Sequence, residues 1–94
     1  MRIDGFIWLP DIINKLARKH HLDQDEVEEV FFNQARYWFV ERGHRSGEDV
    51  YAATGQTDAG RYVIVFFINK ENSMALILSA RDMDRKERRR HERK

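Results

Sequence analysis

Two apolar segments joined by a short polar turn constrain the fold most strongly. Residues 61–68 form an almost continuous run of β-branched and aromatic side chains, and residues 74–80 form a second apolar segment. Segments of this length and composition are typical of buried strands. Because only a short polar stretch separates them, they are predicted to pair as an antiparallel hairpin at the centre of a sheet. Arg81 follows where the second strand ends, and a side chain there can meet a ligand.

Two further segments extend this predicted sheet. Residues 36–42 are aromatic and β-branched, and residues 50–56 form a weaker strand. Asp58 and Gly60 have the residue types of a tight turn leading into the central hairpin. We therefore predict four successive antiparallel strands. Residues 3–8 are interpreted as either a short first strand or an extended arm.

Two helices are predicted before the sheet. The first covers residues 10–20, where Pro10 suits the first helical turn and apolar residues recur at helical spacing. The second begins after Asp23, which forms a capping box with Glu26, and is expected to end near Asn33. Short helices are unstable alone, so both are expected to pack on the sheet.

A second capping box, Asp84 with Glu87, predicts a basic C-terminal helix. Residues 88–94, which follow the capping box, have no apolar stripe, so this helix is expected to be largely exposed. The fold class is therefore α+β, with two N-terminal helices packed on a small antiparallel sheet of about four core strands. The length of 94 residues fits a single domain, residues 1–94.

Composition limits the classes of function. No cysteine is present, which excludes disulfides and thiolate metal sites, and no apolar run is long enough to span a bilayer. A cytoplasmic location is therefore expected. The net charge is +1, but residues 81–94 are mostly basic and residues 23–29 are acidic. Such asymmetry indicates a polyanion or an acidic protein as a partner.

Several motifs occur in a fairly specific order and spacing: Trp8-x-Pro10, Arg18-Lys19-His20, His44-x-x-Gly47-Glu48, Gly60-Arg61 and the run into Ser79-Ala80-Arg81, and the basic capped helix from Asp84 to Arg90. With these motifs the sequence resembles a known family, the BrnT-type toxins of bacterial type II toxin–antitoxin systems. The resemblance implies a RelE-like ribonuclease fold and an RNA substrate. It also implies a cognate antitoxin, often with a ribbon-helix-helix DNA-binding part, that forms a hetero-oligomer with the toxin.

Metal-independent RNA cleavage uses the 2′-hydroxyl of the substrate to attack the adjacent phosphate, and needs proton-handling groups and cations. His44 and Glu48 are the predicted proton-handling groups, and Arg61 and Arg81 are predicted to clamp the phosphate. The alternatives are a loop histidine that makes only turn hydrogen bonds, and an arginine in a surface salt bridge. No metal or other cofactor is expected, because adjacent histidines such as His20 and His21 point to different sides of a helix.

Further basic side chains are predicted to hold the RNA backbone: Lys19, Arg85, Arg88 and Arg89. For residues 85–94, the alternative is a helix that only faces solvent. The aromatic side chains are expected to be mainly core.

A second interpretation is a catalytically weakened or inactive relative of the same fold, which binds a protein or nucleic acid. It rests on Val50, where the family often has a basic residue, and on Ile12 and Leu16, which replace polar residues of the first helix. The retained His44, Glu48 and Arg81 favour the nuclease.

Overall fold

The computed structural model describes residues 1–93 of the chain. This part contains five strands and three α-helices joined by loops. The strands are β1 (Gly5–Ile7), β2 (Arg36–Glu41), β3 (Val50–Gln56), β4 (Tyr62–Lys70) and β5 (Met74–Asp82). The helices are α1 (Pro10–His20), α2 (Gln24–Phe32) and α3 (Arg85–Glu92). The predicted α+β class is confirmed. None of these helices is long and apolar enough to cross a membrane.

The sheet has the order β1-β5-β4-β3-β2. Strands β2 to β5 pair antiparallel with their neighbours, which confirms the four predicted core strands. Residues 3–8 contain a strand rather than only an arm, and β1 pairs parallel with β5 at the edge of the sheet. The sheet is therefore mixed. Parallel pairing needs a long connection, and the rest of the sheet and both N-terminal helices lie between β1 and β5 in the chain.

Helices α1 and α2 pack on one face of this sheet. Leu16 of α1 and Val30 of α2 are fully buried against Val65 and Phe67 of β4. Ile12 packs on the same cluster, so the apolar residues of α1 serve the core. At Gly55, an added Cβ would lie 2.9 Å from the Val30 carbonyl oxygen, so any larger residue would push α2 away from β3.

Helix α3 lies on the opposite face of the sheet. Its predicted capping box is present: Asp84 accepts a hydrogen bond from the Glu87 backbone, and the Glu87 side chain accepts one from the Asp84 backbone. None of its described residues is buried, as predicted from the missing apolar stripe. Nevertheless α3 contacts the sheet through polar and aromatic groups. Lys94, the last residue of the predicted basic tail, lies outside the described residues.

Candidate nucleic-acid interface

Four residues in one row across the sheet define the face on which α3 lies. Arg36 is opposite Thr54, Thr54 is opposite Ile64, and Ile64 is opposite Arg81. Directly opposite residues in antiparallel strands share a face, so all four side chains project toward α3. With neighbouring strands ~4.8 Å apart, the backbones of the two arginines are separated by roughly 14 Å. The row thus places two cations on one surface.

Helix α3 crosses the strands directly over this row. Arg81 donates two hydrogen bonds to Glu87, of 2.7 and 2.8 Å. One turn later, His91 Nδ1 lies 2.8 Å from the hydroxyl oxygen of buried Thr54. Arg36 donates to the carbonyl of Arg93, just past the helix. Contacts therefore pass from β5 through β3 to β2 along the helix.

Two arginines of α3 stack on aromatic rings of the sheet. The Arg88 guanidinium carbon lies 3.9 Å from the ring centroid of Tyr62, and that of Arg90 lies 3.8 Å from the ring centroid of Trp38. Each such contact contributes about 0.5–1 kcal/mol at an exposed site. Planar cations on aromatic faces thus replace the apolar stripe that usually docks a helix.

Two surface hollows flank α3. The first, which we call the Trp38 groove, has a volume of about 400 Å³ and combines an apolar strand surface with charged helix residues. The second, the His91 pocket, has a volume of about 340 Å³ and is mainly polar. The Trp38 groove is lined by Trp38, Phe39, Val40, Ile64, Phe66, Lys86, Glu87 and Arg90. The His91 pocket is lined by Asn33, Gln34, Arg36, Gln56, Tyr62, His91 and Glu92.

The charge asymmetry of the sequence falls on opposite faces of the sheet. The basic residues of α3 are Arg85, Lys86, Arg88, Arg89 and Arg90, against Glu87 and Glu92. Helix α2, on the other face, carries Asp25, Glu26, Glu28 and Glu29 and no basic residue. The face that presents α3 is therefore the one suited to a polyanion.

Arg81 is paired but accessible. Hydrogen bonds from Arg81 lower the pKa of the Glu87 carboxyl, while burial opposes that change. The same hydrogen bonds raise the pKa of Arg81. Both groups are therefore charged at neutral pH. The Arg81 side chain remains 39% exposed, so a phosphate can approach it in competition with Glu87.

Arg61 occupies a different position from Arg81. It donates to the backbone carbonyls of His20 and His21, at 2.6 and 2.8 Å, and to the Asp82 carboxylate at 2.6 Å. The hydrogen bond to Asp82 is the main cause that raises its pKa. These contacts place Arg61 at the C-terminal end of α1, on the face opposite α3, where it ties α1 to the end of β5.

His44 and Glu48 lie in the loop between β2 and β3, and His44 is exposed. Glu48 contacts the Lys70 ammonium at 3.7 Å, at the end of β4. The loop joins β3 at Val50, four residues from Thr54, or roughly 13 Å along the strand. The structure therefore does not bring the four predicted catalytic residues into one cluster.

The predicted RNA-binding residues are divided in a similar way. Arg85 and Arg89 are exposed on α3, and Arg88 stacks on Tyr62 and also contacts Glu92 at 3.2 Å. Lys19 is exposed near the end of α1, in the other helical layer. Three of the four thus share the α3 face.

Two site residues were missed by sequence reasoning. His91 lies in a run of charged residues that has no apolar pattern, and Arg36 is the first residue of an edge strand. The spacing of Glu87 and His91, one helical turn apart, was an available signal that both face the sheet. Among residues 1–93 there is no group of three His, Asp or Glu side chains arranged to hold a metal ion.

A solved structure has the same fold as this chain. The fold is similar to that of the Brucella abortus ribonuclease toxin BrnT, known from a crystal structure at 1.1 Å resolution. The TM-score is 0.63, with 18% sequence identity, and the match covers 86% of this chain and 97% of the other. At this identity the likeness establishes a shared fold. This chain therefore has the fold of a bacterial ribonuclease toxin.

The family follows from the sequence itself. Residues 8–87 match the family described as the ribonuclease toxin, BrnT, of type II toxin-antitoxin systems. The match spans most of the chain, so the chain belongs to the BrnT toxin family, as the motifs predicted. No curated protein sequence matches the chain significantly.

Proposed function

We propose that this chain is a toxin endoribonuclease that binds RNA on the α3 face and cleaves it without a metal ion. The observation that carries the proposal is the row that places Arg81 and Arg36 on the surface crossed by the basic helix. Membership in a family of ribonuclease toxins supports the reaction class. A cationic surface with adjacent aromatic rings suits single-stranded RNA, whose bases stack on such rings.

The proposed reaction is an internal phosphate transfer. The 2′-hydroxyl loses its proton and forms a bond to the adjacent phosphorus, while the bond from phosphorus to the 5′-oxygen breaks. The leaving oxygen takes up a proton, which gives a 2′,3′-cyclic phosphate and a 5′-hydroxyl. Negative charge accumulates on the phosphate oxygens in the transition state, and guanidinium groups stabilise that charge.

Arg81 is proposed to bind a phosphate of the RNA. Until RNA binds, the Glu87 carboxylate occupies the position of that phosphate. A phosphate accepts the same bidentate pair of hydrogen bonds as a carboxylate. Exchange of Glu87 for a phosphate therefore keeps the guanidinium satisfied. Trp38 and Phe66, which line the neighbouring Trp38 groove, provide rings on which bases can stack.

A binding module without catalysis is the second candidate. The specific observation in its favour is the same ion pair, because Glu87 already neutralises Arg81. Val50 at the end of the β2–β3 loop also supplies no charge. In this alternative the α3 face binds a polyanion or an acidic protein but transfers no proton.

A cognate antitoxin is the proposed protein partner, since the family belongs to type II toxin–antitoxin systems. An acidic antitoxin surface would complement α3, and a ribbon-helix-helix part would add DNA binding. Co-expression with the neighbouring open reading frame tests this partnership. We expect to recover a stable complex with the wild-type toxin and to lose the complex when the arginines of α3 are replaced. Recovery of the toxin alone would contradict the proposed partnership.

The test of the function is cleavage of an unstructured RNA by the purified protein in excess EDTA. Fragments ending in a 2′,3′-cyclic phosphate are expected, and a 2′-deoxy nucleotide at the cleaved position should abolish cleavage. Arg81→Ala should lower the rate by about 100-fold or more, because RNA that has lost this phosphate contact is misplaced at the reacting groups. Arg2→Ala, an exposed pair with Asp4, is the matched control.

Two outcomes separate the candidates. A wild-type protein that binds RNA but leaves it intact supports the binding module. Cleavage that survives Arg81→Ala but is lost in His44→Ala moves the reaction to the β2–β3 loop, as the sequence prediction of His44 and Glu48 has it.

A further inference from the structure

We propose that His91, through Nε2, accepts the proton of the 2′-hydroxyl, and that the His91 pocket holds the ribose and phosphate that react while Arg81 binds a neighbouring phosphate of the same RNA. The inference rests on the proposed ribonuclease function and assigns its general base. It is drawn from the position of the His91 imidazole among side chains of β2, β3, β4 and α3.

The position of the ring is fixed by the sheet. Nδ1 lies 2.8 Å from the hydroxyl oxygen of Thr54, a residue with no exposed surface. The ring meets the Tyr62 ring edge-on, with 6.2 Å between centroids and 79° between planes. Within residues 1–93, Nε2 has no hydrogen-bond partner, so it is the ring nitrogen left for a ligand.

The surroundings favour the neutral imidazole. Burial is the largest effect that lowers the pKa of His91, and the positive charge of Arg36 lowers it further. Glu92 on the same helix opposes this shift. Tyr62 of β4 and Thr54 of β3 complete the groups that face the ring. A neutral imidazole at pH 7 is the form that can accept a proton.

Arg36 couples proton transfer to substrate binding. Without a ligand, its charge disfavours the imidazolium. A phosphate bound to Arg36 offsets that charge, so the imidazolium forms more readily once RNA is in place. Arg36 also lines the pocket with Asn33 and Gln56. The NH2 groups of both amides already donate within the protein, so their side-chain oxygens are left to accept hydrogen bonds from ribose hydroxyls.

The proton balance is complete with water. Nε2 takes the 2′-hydroxyl proton as O2′ bonds to phosphorus, and the bond from phosphorus to O5′ breaks. A water molecule protonates O5′ and leaves hydroxide, which takes the proton from His91 and restores the neutral ring. The net change is conversion of one phosphodiester into a cyclic phosphate and a 5′-hydroxyl.

The experiment compares His91→Asn with His21→Asn in single-turnover RNA cleavage from pH 5 to pH 9. His21 is an exposed residue with a φ of 51°, a conformation that asparagine tolerates well, so it is a matched control. His91→Asn should slow cleavage by about 100-fold or more and remove the ionisation seen in the wild-type pH profile. Its affinity for a non-cleavable 2′-deoxy analogue should be unchanged.

A rescue experiment separates proton transfer from structure. Added imidazole should restore part of the rate of His91→Ala but not of Arg81→Ala. Thr54→Val, which keeps the volume of the side chain but removes the hydroxyl, should lower kcat and move the pH midpoint without changing KM. It serves as the second variant if a change at His91 prevents folding.

The outcomes distinguish this inference from the proposed function. Full cleavage with a wild-type pH profile in His91→Asn, or in Thr54→Val where that variant stands in, overturns the role of His91 and leaves the ribonuclease intact. Absence of wild-type cleavage overturns the function and the inference together.

Discussion

At the scale of single residues, Arg61 has a structural position that its sequence context did not reveal. It satisfies two backbone carbonyls at the end of α1 and pairs with Asp82. Arg61→Met should therefore lower the free energy of unfolding by about 1.5–3 kcal/mol, the range for hydrogen bonds to a charged group. Urea denaturation measures this change.

Arg2→Met is the control for Arg61→Met, because Arg2 also pairs with an aspartate but is 82% exposed. Arg2→Met should leave the free energy of unfolding nearly unchanged, because an ion pair this exposed is screened by solvent. If Arg61→Met retains full stability but loses RNA cleavage, Arg61 acts as the phosphate ligand of the sequence prediction instead.

His91 also makes stability depend on pH. Its pKa is lowered in the folded protein from an ordinary value of 6.5, so the unfolded chain binds the proton more readily. The contribution of the neutral ring is full above pH 6.5 and is lost as pH falls through the lower, folded-state pKa. The wild type should therefore lose stability relative to His91→Asn on acidification.

Urea denaturation of both proteins at pH 7.5 and pH 5 tests this sign, since the other titrating groups cancel in the difference. A constant difference between the two proteins would show that the ring titrates alike in the folded and unfolded states.

The sequence located individual residues only where strand ends marked them. Arg81 could be placed because it lies at the end of an unmistakable strand. The position of Arg36 in the same row could not be predicted, because the register of β2, β3 and β4 decides which residues lie opposite one another. That register depends on turn geometry and on burial of one face, both non-local properties.

At the scale of elements, the two capping boxes allow a matched comparison. Asp23 begins α2, whose Val27 and Val30 are buried in the core, whereas Asp84 begins α3, which buries no side chain. Loss of either cap should cost about 1 kcal/mol locally. The consequences should differ because α2 unfolds with the core and α3 can detach alone.

Asp23→Ala is therefore expected to lower the free energy of global unfolding. Asp84→Ala should leave that value nearly unchanged and accelerate hydrogen exchange of the α3 amides. Both readouts come from urea denaturation and hydrogen exchange on the same samples. Equal loss of global stability in the two variants would mean that α3 folds cooperatively with the sheet.

Element prediction succeeded where local signals were strong. Capping residues and apolar periodicity placed α1 and α2, and runs of β-branched and aromatic residues placed β2 to β5. The parallel pairing of the three-residue strand β1 had no local signal, since its partner β5 is far away in the sequence. The docking of α3 on the sheet was not predicted. Arg88 and Arg90 dock it by binding aromatic rings, whereas arginines in a charged segment are normally expected to face solvent.

At the scale of the whole molecule, the sheet separates the acidic helix α2 from the basic helix α3, and RNA binding should report this division. Arg85 and Arg89 are exposed on α3, while Lys19 lies in the opposite layer. Each phosphate contact with single-stranded RNA releases counterions, so losing one reduces the slope of log affinity against log salt by about 0.7. Arg85→Gln and Arg89→Gln should each show that reduction.

Lys19→Gln should leave the salt slope unchanged if RNA is confined to the α3 face, and so should Asp25→Asn on the acidic helix α2. Fluorescence anisotropy of a labelled, non-cleavable RNA over a range of salt concentrations measures all four slopes. A reduced slope in Lys19→Gln would instead extend the RNA path around the edge of the sheet to the end of α1. The contrast between Lys19 and Arg89 therefore decides whether one face or two contact the substrate, independently of whether the bound RNA is cut.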